Sequence, residues 1–200
     1  MNVIKPHSVT IQGSCDEYTI ILRPLTDVDF PLLYKWYADP EVLYWTEFEE
    51  VDPYTPEIVE KIYHTVSQKA LCFAVEANGR PIGDCWLQEM NLPEVIAMYP
   101  ENTDIRRIDM AIGEKDYWGK GIGSVFIKQL IDYAFGVERV DVLHCLCADY
   151  NIRSQRMWEK NGFTCILKEK IPETRGAEPV CHWRLTREAY RKALHETDNG

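Results

Sequence analysis

The chain has 200 residues, 46% of them hydrophobic, and a formal net charge of −10. That size suits one domain spanning 1–200 with room for a substantial core, and no apolar run reaches the roughly eighteen residues a membrane helix needs. The acidic balance argues against nucleic acid or an anionic membrane as partner and fits a cationic small molecule.

In chain order, Tyr18 to Pro24 reads as a strand rich in Ile and Leu. Thr26 then stands as an N-cap with Asp29 three residues on, and Val28, Leu32, Leu33 and Trp36 follow at helical spacing. Asp39-Pro40 ends or bends that helix. Thr55-Pro56-Glu57 opens another, with Ile58, Val59, Ile62, Tyr63 and Val66 as its apolar stripe. Ala70 to Glu76 and Pro81 to Met90 flank Asn78-Gly79, a hairpin signal. Asn91 to Asn102 reads as a loop and Thr103 to Ile112 as a strand.

Gly121 to Phe135 follows as a helix, Val140 to Ala148 as a strand, and Asn151 to Lys160 as a helix closed by Asn161-Gly162. Phe163 to Ile171 and Pro179 to Leu185 form a closing hairpin around Thr174-Arg175-Gly176, and Thr186 caps a short C-terminal helix. This order implies an α/β (α+β) domain with a single mixed sheet. The N-terminus lacks a signal-peptide core. The seven cysteines show no framework or zinc-ligand spacing. The expectation is a cytoplasmic protein with reduced thiols and no metal.

Two segments carry the chemistry. Asp109-Met-Ala-Ile-Gly-Glu-Lys-Asp-Tyr-Trp-Gly-Lys-Gly-Ile-Gly-Ser124 reads as strand, loop and glycine-rich helix start. Its glycines leave the backbone bare, and the helix begins with free N–H groups at the positive end of its dipole, an anion site suited to a pyrophosphate. It is neither a Walker loop nor a dinucleotide fingerprint. The second segment is Asn151-Ile-Arg-Ser-Gln-Arg-Met-Trp-Glu-Lys-Asn-Gly-Phe163.

Together these segments resemble the GCN5-related (GNAT) N-acetyltransferases, over roughly residues 19 to 185. The resemblance implies the GNAT fold, a mostly antiparallel twisted sheet flanked by helices, and acetyl-CoA as co-substrate. It implies cofactor contacts at Met110, Ala111, Ile112, Trp118, Gly119, Lys120, Gly121, Ile122, Gly123 and Ser124, and at Asn151, Arg153, Ser154 and Trp158. Because coenzyme A is itself an anion, the loop amides must act locally against the chain's negative field, assisted by Lys120 and by Arg153 or Arg156.

Acetyl transfer to an amine needs an unprotonated nitrogen, donors for the carbonyl oxygen and a departing thiolate. Asp109 is the candidate base. Alternation in Arg107 to Ile112 puts it opposite Ile108 and Met110, and an acid in an apolar strand needs a function or a partner, such as Arg106 or Arg107. Leu32 to Trp36, Glu41 to Trp45, Ile108-Asp109 and Tyr117 to Gly123 further resemble the bacterial aminoglycoside 6'-N-acetyltransferases. In that group the Asp before the coenzyme loop serves the reactive amine, which points to Asp109. An aromatic after the first helix lines the sugar pocket, which points to Trp45, with plain core packing as its alternative.

Two departures stand out. The group usually has a phenolic acid where this chain has Trp158, whose indole is no proton source. Tyr150 or solvent remains as acid, or the thiolate leaves unassisted. The group's Asp-Pro is replaced by Cys147-Ala148-Asp149-Tyr150, so Asp149 is a candidate amine contact. Glu47, Glu49, Glu50 and Asp52, with Glu94, Glu101 and Asp104, are candidate partners for a polycation or plain solvated charge. No cysteine stands beside an evident base, so direct attack is expected over an acetyl-cysteine. The leading reading is an aminoglycoside acetyltransferase conferring antibiotic resistance, monomeric or homodimeric. An acetyltransferase of protein N-termini or of a small metabolite comes second, and a non-enzymatic acyl-CoA-binding domain last.

Overall fold

The computed structural model describes residues 2–47, 52–169 and 179–198. One eight-stranded sheet runs through the molecule. Its strands are β1 (Ile11–Cys15), β2 (Tyr18–Pro24), β3 (Ala70–Ala77), β4 (Arg80–Glu89), β5 (Ile105–Ile112), β6 (Val142–Ala148), β7 (Thr164–Glu169) and β8 (Val180–Thr186), in the spatial order β1-β2-β3-β4-β5-β6-β8-β7. All neighbours are antiparallel except β5 and β6. The expected mixed, mostly antiparallel sheet is present.

The helices are α1 (Phe30–Tyr37), α2 (Pro40–Thr46), α3 (Pro56–Val66), α4 (Pro93–Ile96), α5 (Ile122–Tyr133), α6 (Ile152–Lys160) and α7 (Arg187–Asp198). Strand alternation sorts the apolar residues into two cores, one on each face of the sheet. Ile20, Leu22, Val75, Ile108 and Cys145 pack with Phe126, Ile127 and Leu130 of α5. Cys72, Ala74 and Ala111 pack with Leu33 and Trp36 of α1 and Val59 and Tyr63 of α3. None of the described helices is long and apolar enough to cross a membrane.

Several local signals act as the sequence implies. Asn78 and Gly79 take positive φ of 50° and 76° and turn β3 into β4. Thr55 accepts from the Ile58 amide and opens α3. The Thr26 amide donates to Asp29 Oδ2 at 2.9 Å. Arg23 holds the same Asp29 at 2.7 Å and Glu76 at 2.7 Å, which ties the start of α1 to β2 and β3.

Other details differ. Val28 is 82% exposed rather than part of an apolar stripe. Asp27–Asp29 forms a separate 3-10 turn, so α1 starts its register at Phe30. Asp39-Pro40 does end α1, but it also starts α2, because Asp39 accepts from the Glu41 amide at 2.9 Å. β1 and α4 were not anticipated. α5 gives way to a π-helical turn at Ala134–Glu138, and β6 begins two residues later than expected, at Val142. The turn at Thr174-Arg175-Gly176, and Glu49 and Glu50, lie outside the described residues.

Candidate active site

β5 and β6 pair only at Ile105, Arg106 and Arg107, opposite Val142, Leu143 and His144. Beyond these three pairs the strands part, and backbone groups of β5 up to Ile112 and of β6 up to Ala148 border an opening. A cavity of about 780 Å³ occupies it, running from the start of α5 across the sheet to the ends of α1 and α2.

At one end lies the start of α5. Gly119 and Gly121 have φ of 73° and 77°, a region an L side chain enters only with strain. Gly121 is the cap, and no acid stands in the first turn that follows. The amides of Ile122, Gly123 and Ser124 precede the first intrahelical bond, from Val125 to the Gly121 carbonyl.

Glu114 fixes the approach to this turn. It accepts from Lys35 Nζ at 2.5 Å, Trp36 Nε1 at 2.9 Å and Arg80 Nη2 at 2.9 Å. Burial alone would push its carboxyl up. The Lys35 and Trp36 donors and the charges of Lys35 and Arg80 outweigh burial and hold it below its ordinary range. Gly113 precedes it because a Cβ there would meet the Trp36 ring at 2.0 Å. Trp118 Nε1 donates back to the Ile112 carbonyl at 2.6 Å, folding the loop over the strand end.

α6 walls the middle of the cavity. Asn151 caps it by accepting from the Ser154 amide at 3.1 Å, and its Nδ2 donates to the Trp45 carbonyl at 2.7 Å. One side chain therefore joins the end of α2 to the start of α6. The Arg153 guanidinium lies 4.8 Å from the Trp45 ring and 5.7 Å from the Trp118 ring, a cation–π stack. Trp158 is buried against Phe163, and its Nε1 has no partner among the described residues.

The far end is acidic. Asp109 faces the α1/α3 side of the sheet, and its Oδ2 accepts from Trp86 Nε1 at 2.5 Å and Arg107 Nε at 2.5 Å. Glu47 and Glu94 line the same space, with Tyr37, Tyr54 and Trp86 as aromatic walls. Burial, reinforced by the Asp109 charge, pushes the Glu47 carboxyl up despite a bond from Tyr54. Asp84, on β4, completes the acid set.

The family model for the GNAT acetyltransferase domain matches residues 19–164. The chain belongs to the GNAT acetyltransferases. It is similar to aminoglycoside N(6')-acetyltransferase type 1 of Klebsiella pneumoniae, 25% identical over 179 residues that cover 87% of this chain and 86% of that one. Among solved structures, aminoglycoside acetyltransferase AAC(6')-Ib in complex with coenzyme A and kanamycin superposes with a TM-score of 0.67 at 20% identity, covering 86% of this chain and 98% of that one. Spermidine N-acetyltransferase from Vibrio cholerae, with coenzyme A and spermine, gives 0.70 at 17% identity over 88% and 99%. At these identities the structural likeness speaks for the fold.

This acetyltransferase uses acetyl-CoA, and its residues fit that co-substrate. Bare amides at α5 suit the pyrophosphate, the parted strands leave peptide groups for an amide-bearing arm, and the Trp158 indole N–H awaits an acceptor. Met110, Ala111, Ile112, Trp118, Gly119, Gly121, Ile122, Gly123, Ser124, Asn151, Arg153, Ser154 and Trp158 all line the cavity, as do Trp45 and Asp109.

Two expected residues do not line it. Lys120 turns away, its Nζ 3.3 Å from the Tyr18 hydroxyl and over the Tyr18 and Tyr117 rings. Asp149 is occupied elsewhere: Lys168 Nζ binds its Oδ1 at 2.6 Å and Cys181 Sγ lies at 3.3 Å. The Lys168 bond holds the Asp149 carboxyl below its usual range.

Among the other acids, Asp104 binds Arg106 at 2.6 Å, and Glu101 and Asp52 stand outside the cavity. Tyr150 donates to the Tyr44 carbonyl at 2.5 Å rather than facing the opening. Cys147 does reach the cavity, but burial pushes its thiol up to about 11, so it is a poor nucleophile at neutral pH. Within the described residues no His, Cys, Asp and Glu group has metal-ligand geometry. Tyr37, Trp86 and above all Asp84 were missed. An acid inside the apolar stretch Pro81 to Met90 was the available signal.

Proposed function

We propose that this acetyltransferase transfers the acetyl group of acetyl-CoA directly to an amine of an aminoglycoside, the 6'-amine in the closest reading, and that it thereby confers antibiotic resistance. The observation that carries the proposal is the acid-lined, aromatic-walled end of the cavity, continuous with the coenzyme cradle. Asp109, Glu47 and Glu94 supply carboxylates for several ammonium groups, and Trp45, Tyr54 and Trp86 supply faces for a sugar ring. Asp109 meets the reactive amine. Trp45, held by Arg153 and Asn151, borders the ring beside it. The α5 amides fix the pyrophosphate so that the thioester lies in the parted strands. The similarity to the aminoglycoside enzyme of Klebsiella pneumoniae over most of both chains supports this reading.

A linear polyamine is the second reading, favoured by the same acids and by the spermidine acetyltransferase fold likeness. A walled cavity favours either over a peptide N-terminus, which needs an open groove. Thiol release from acetyl-CoA decides among them, measured against kanamycin- and gentamicin-type compounds, spermidine and an N-terminal peptide. We expect kcat/KM for at least one aminoglycoside to exceed that for spermidine and peptide by about 10²-fold or more, several well-placed contacts being worth that much. Turnover of spermidine or peptide alone overturns the proposal.

A further inference from the structure

Asp84 has no part in the expectations above, yet it is the most deeply buried acid of the cavity, at 1% exposure. The register sets Asp84 beside Ala111 and Trp86 beside Asp109, so the two acids lie on one face of adjacent strands. Their partners differ in kind. Asp109 is held by a guanidinium and an indole. Asp84 is held by two neutral hydroxyls: Tyr63 donates to Oδ2 at 2.6 Å, and Tyr37 stands 3.3 Å from Oδ1 and 3.4 Å from Oδ2. Among the described residues no cation pairs with it. Asp84 and Tyr37 both line the cavity.

We propose that Asp84 is the group on which the acceptor amine's proton ends, reached through the Tyr37 hydroxyl, while Asp109 holds the amine. The proposal deepens the function given above and rests on its reading that the acceptor enters as an ammonium. The ammonium gives a proton to the Tyr37 oxygen as Tyr37 gives its own to Asp84, which becomes a neutral acid; Tyr37 is unchanged. The freed lone pair forms the N–C bond at the thioester carbonyl, the C–S bond breaks, and the departing sulfur takes the remaining excess proton from nitrogen. Asp84 returns its proton to solvent when product leaves.

The surroundings tune Asp84 for this task. Among the described residues, Tyr37 of α1, Tyr63 of α3, Cys72 of β3, the neighbouring Cys85, Asp109 of β5 (itself paired with Arg107) and Glu47 after α2 are ionisable groups around it. Burial pushes the Asp84 carboxyl up to about 7; the Tyr63 and Tyr37 bonds oppose this, and the Asp109 and Glu47 charges reinforce it. A base matched to neutral pH takes and returns a proton readily. Asp84 must be ionised to act, so kcat/KM rises with pH through about 7.

The test compares kanamycin with an analogue whose reactive amine is replaced by an aminooxy group, already neutral at neutral pH. In Asp84→Asn we expect loss of the limb near neutrality and about 10²-fold lower kcat/KM for kanamycin. Turnover of the analogue should stay within about twofold of wild type, with acetyl-CoA affinity unchanged, since a proton acceptor is idle there. A loss of equal size on both acceptors, or on neither, overturns the proposal. If Asp84→Asn does not fold, Tyr37→Phe must show the same selective loss, and any other pattern overturns it. Should wild type not acetylate kanamycin, the comparison is made on whichever aminoglycoside it does turn over; should it acetylate none, the aminoglycoside reading falls, and the same comparison is made on spermidine and its aminooxy analogue.

Discussion

At the scale of single residues, the acceptor end depends on what each carboxylate already binds. Asp109 bridges Arg107 and Trp86 yet borders the cavity, so it is fixed in place before any amine arrives. Asp109→Asn keeps the shape and removes the charge. We expect kcat to fall by about 10²-fold or more with acetyl-CoA affinity unchanged, measured by thiol release and by calorimetric titration of coenzyme A. Near-normal kcat would remove Asp109 from the chemistry. The place of Asp109 in the cavity was legible because strand alternation and the following glycine loop both mark it. Asp149 lies outside the cavity lining because its partners, Lys168 and Cys181, arrive from β7 and β8, and nothing within its own segment announces them. Asp84 was overlooked for the opposite reason. Its access to the cavity arises from pairing with β5 and from the positions of α1 and α3, which local sequence does not encode.

At the scale of elements, α5 and its leading turn are the best-specified part of the chain. Positive φ at Gly119 and Gly121 demands glycine there, so the requirement is visible in the sequence. Gly121→Val combines that backbone strain with a branched side chain beside the expected pyrophosphate. Coenzyme A affinity should fall by about tenfold or more, a loss on the order of 1–3 kcal/mol. Unchanged affinity in the calorimeter would put the cradle elsewhere. Helix caps were legible for the same reason: Thr55 and Thr186 each accept from a backbone amide close by in sequence. α2 and β1 were less so. Asp39-Pro40 signals a stop and a start equally well, and Ile11–Cys15 has one apolar face that only pairing with β2 makes into a strand.

At the scale of the whole molecule, the decisive feature is the partial parallel pairing of β5 and β6. Three residue pairs hold the strands together at one end, and their divergence opens a path through the sheet. The start of α5, the proposed coenzyme cradle, lies at one end of that path and the acid-lined pocket at the other. The order of elements was readable from periodicity and turn residues, but the divergence was not. It follows from how α5, α6 and the antiparallel pair β6–β8 pack against the rest, a balance of long-range contacts. The net charge of −10 takes on meaning at this scale: acids gather at the acceptor end, while the first turn of α5 has none. A crystal structure with bound coenzyme A tests the central claim most directly. The account predicts the pyrophosphate on the amides of Ile122 to Ser124 and the sulfur between β5 and β6, on the side of Asp109. A pyrophosphate bound away from the start of α5, or a sulfur outside the parted strands, would contradict it.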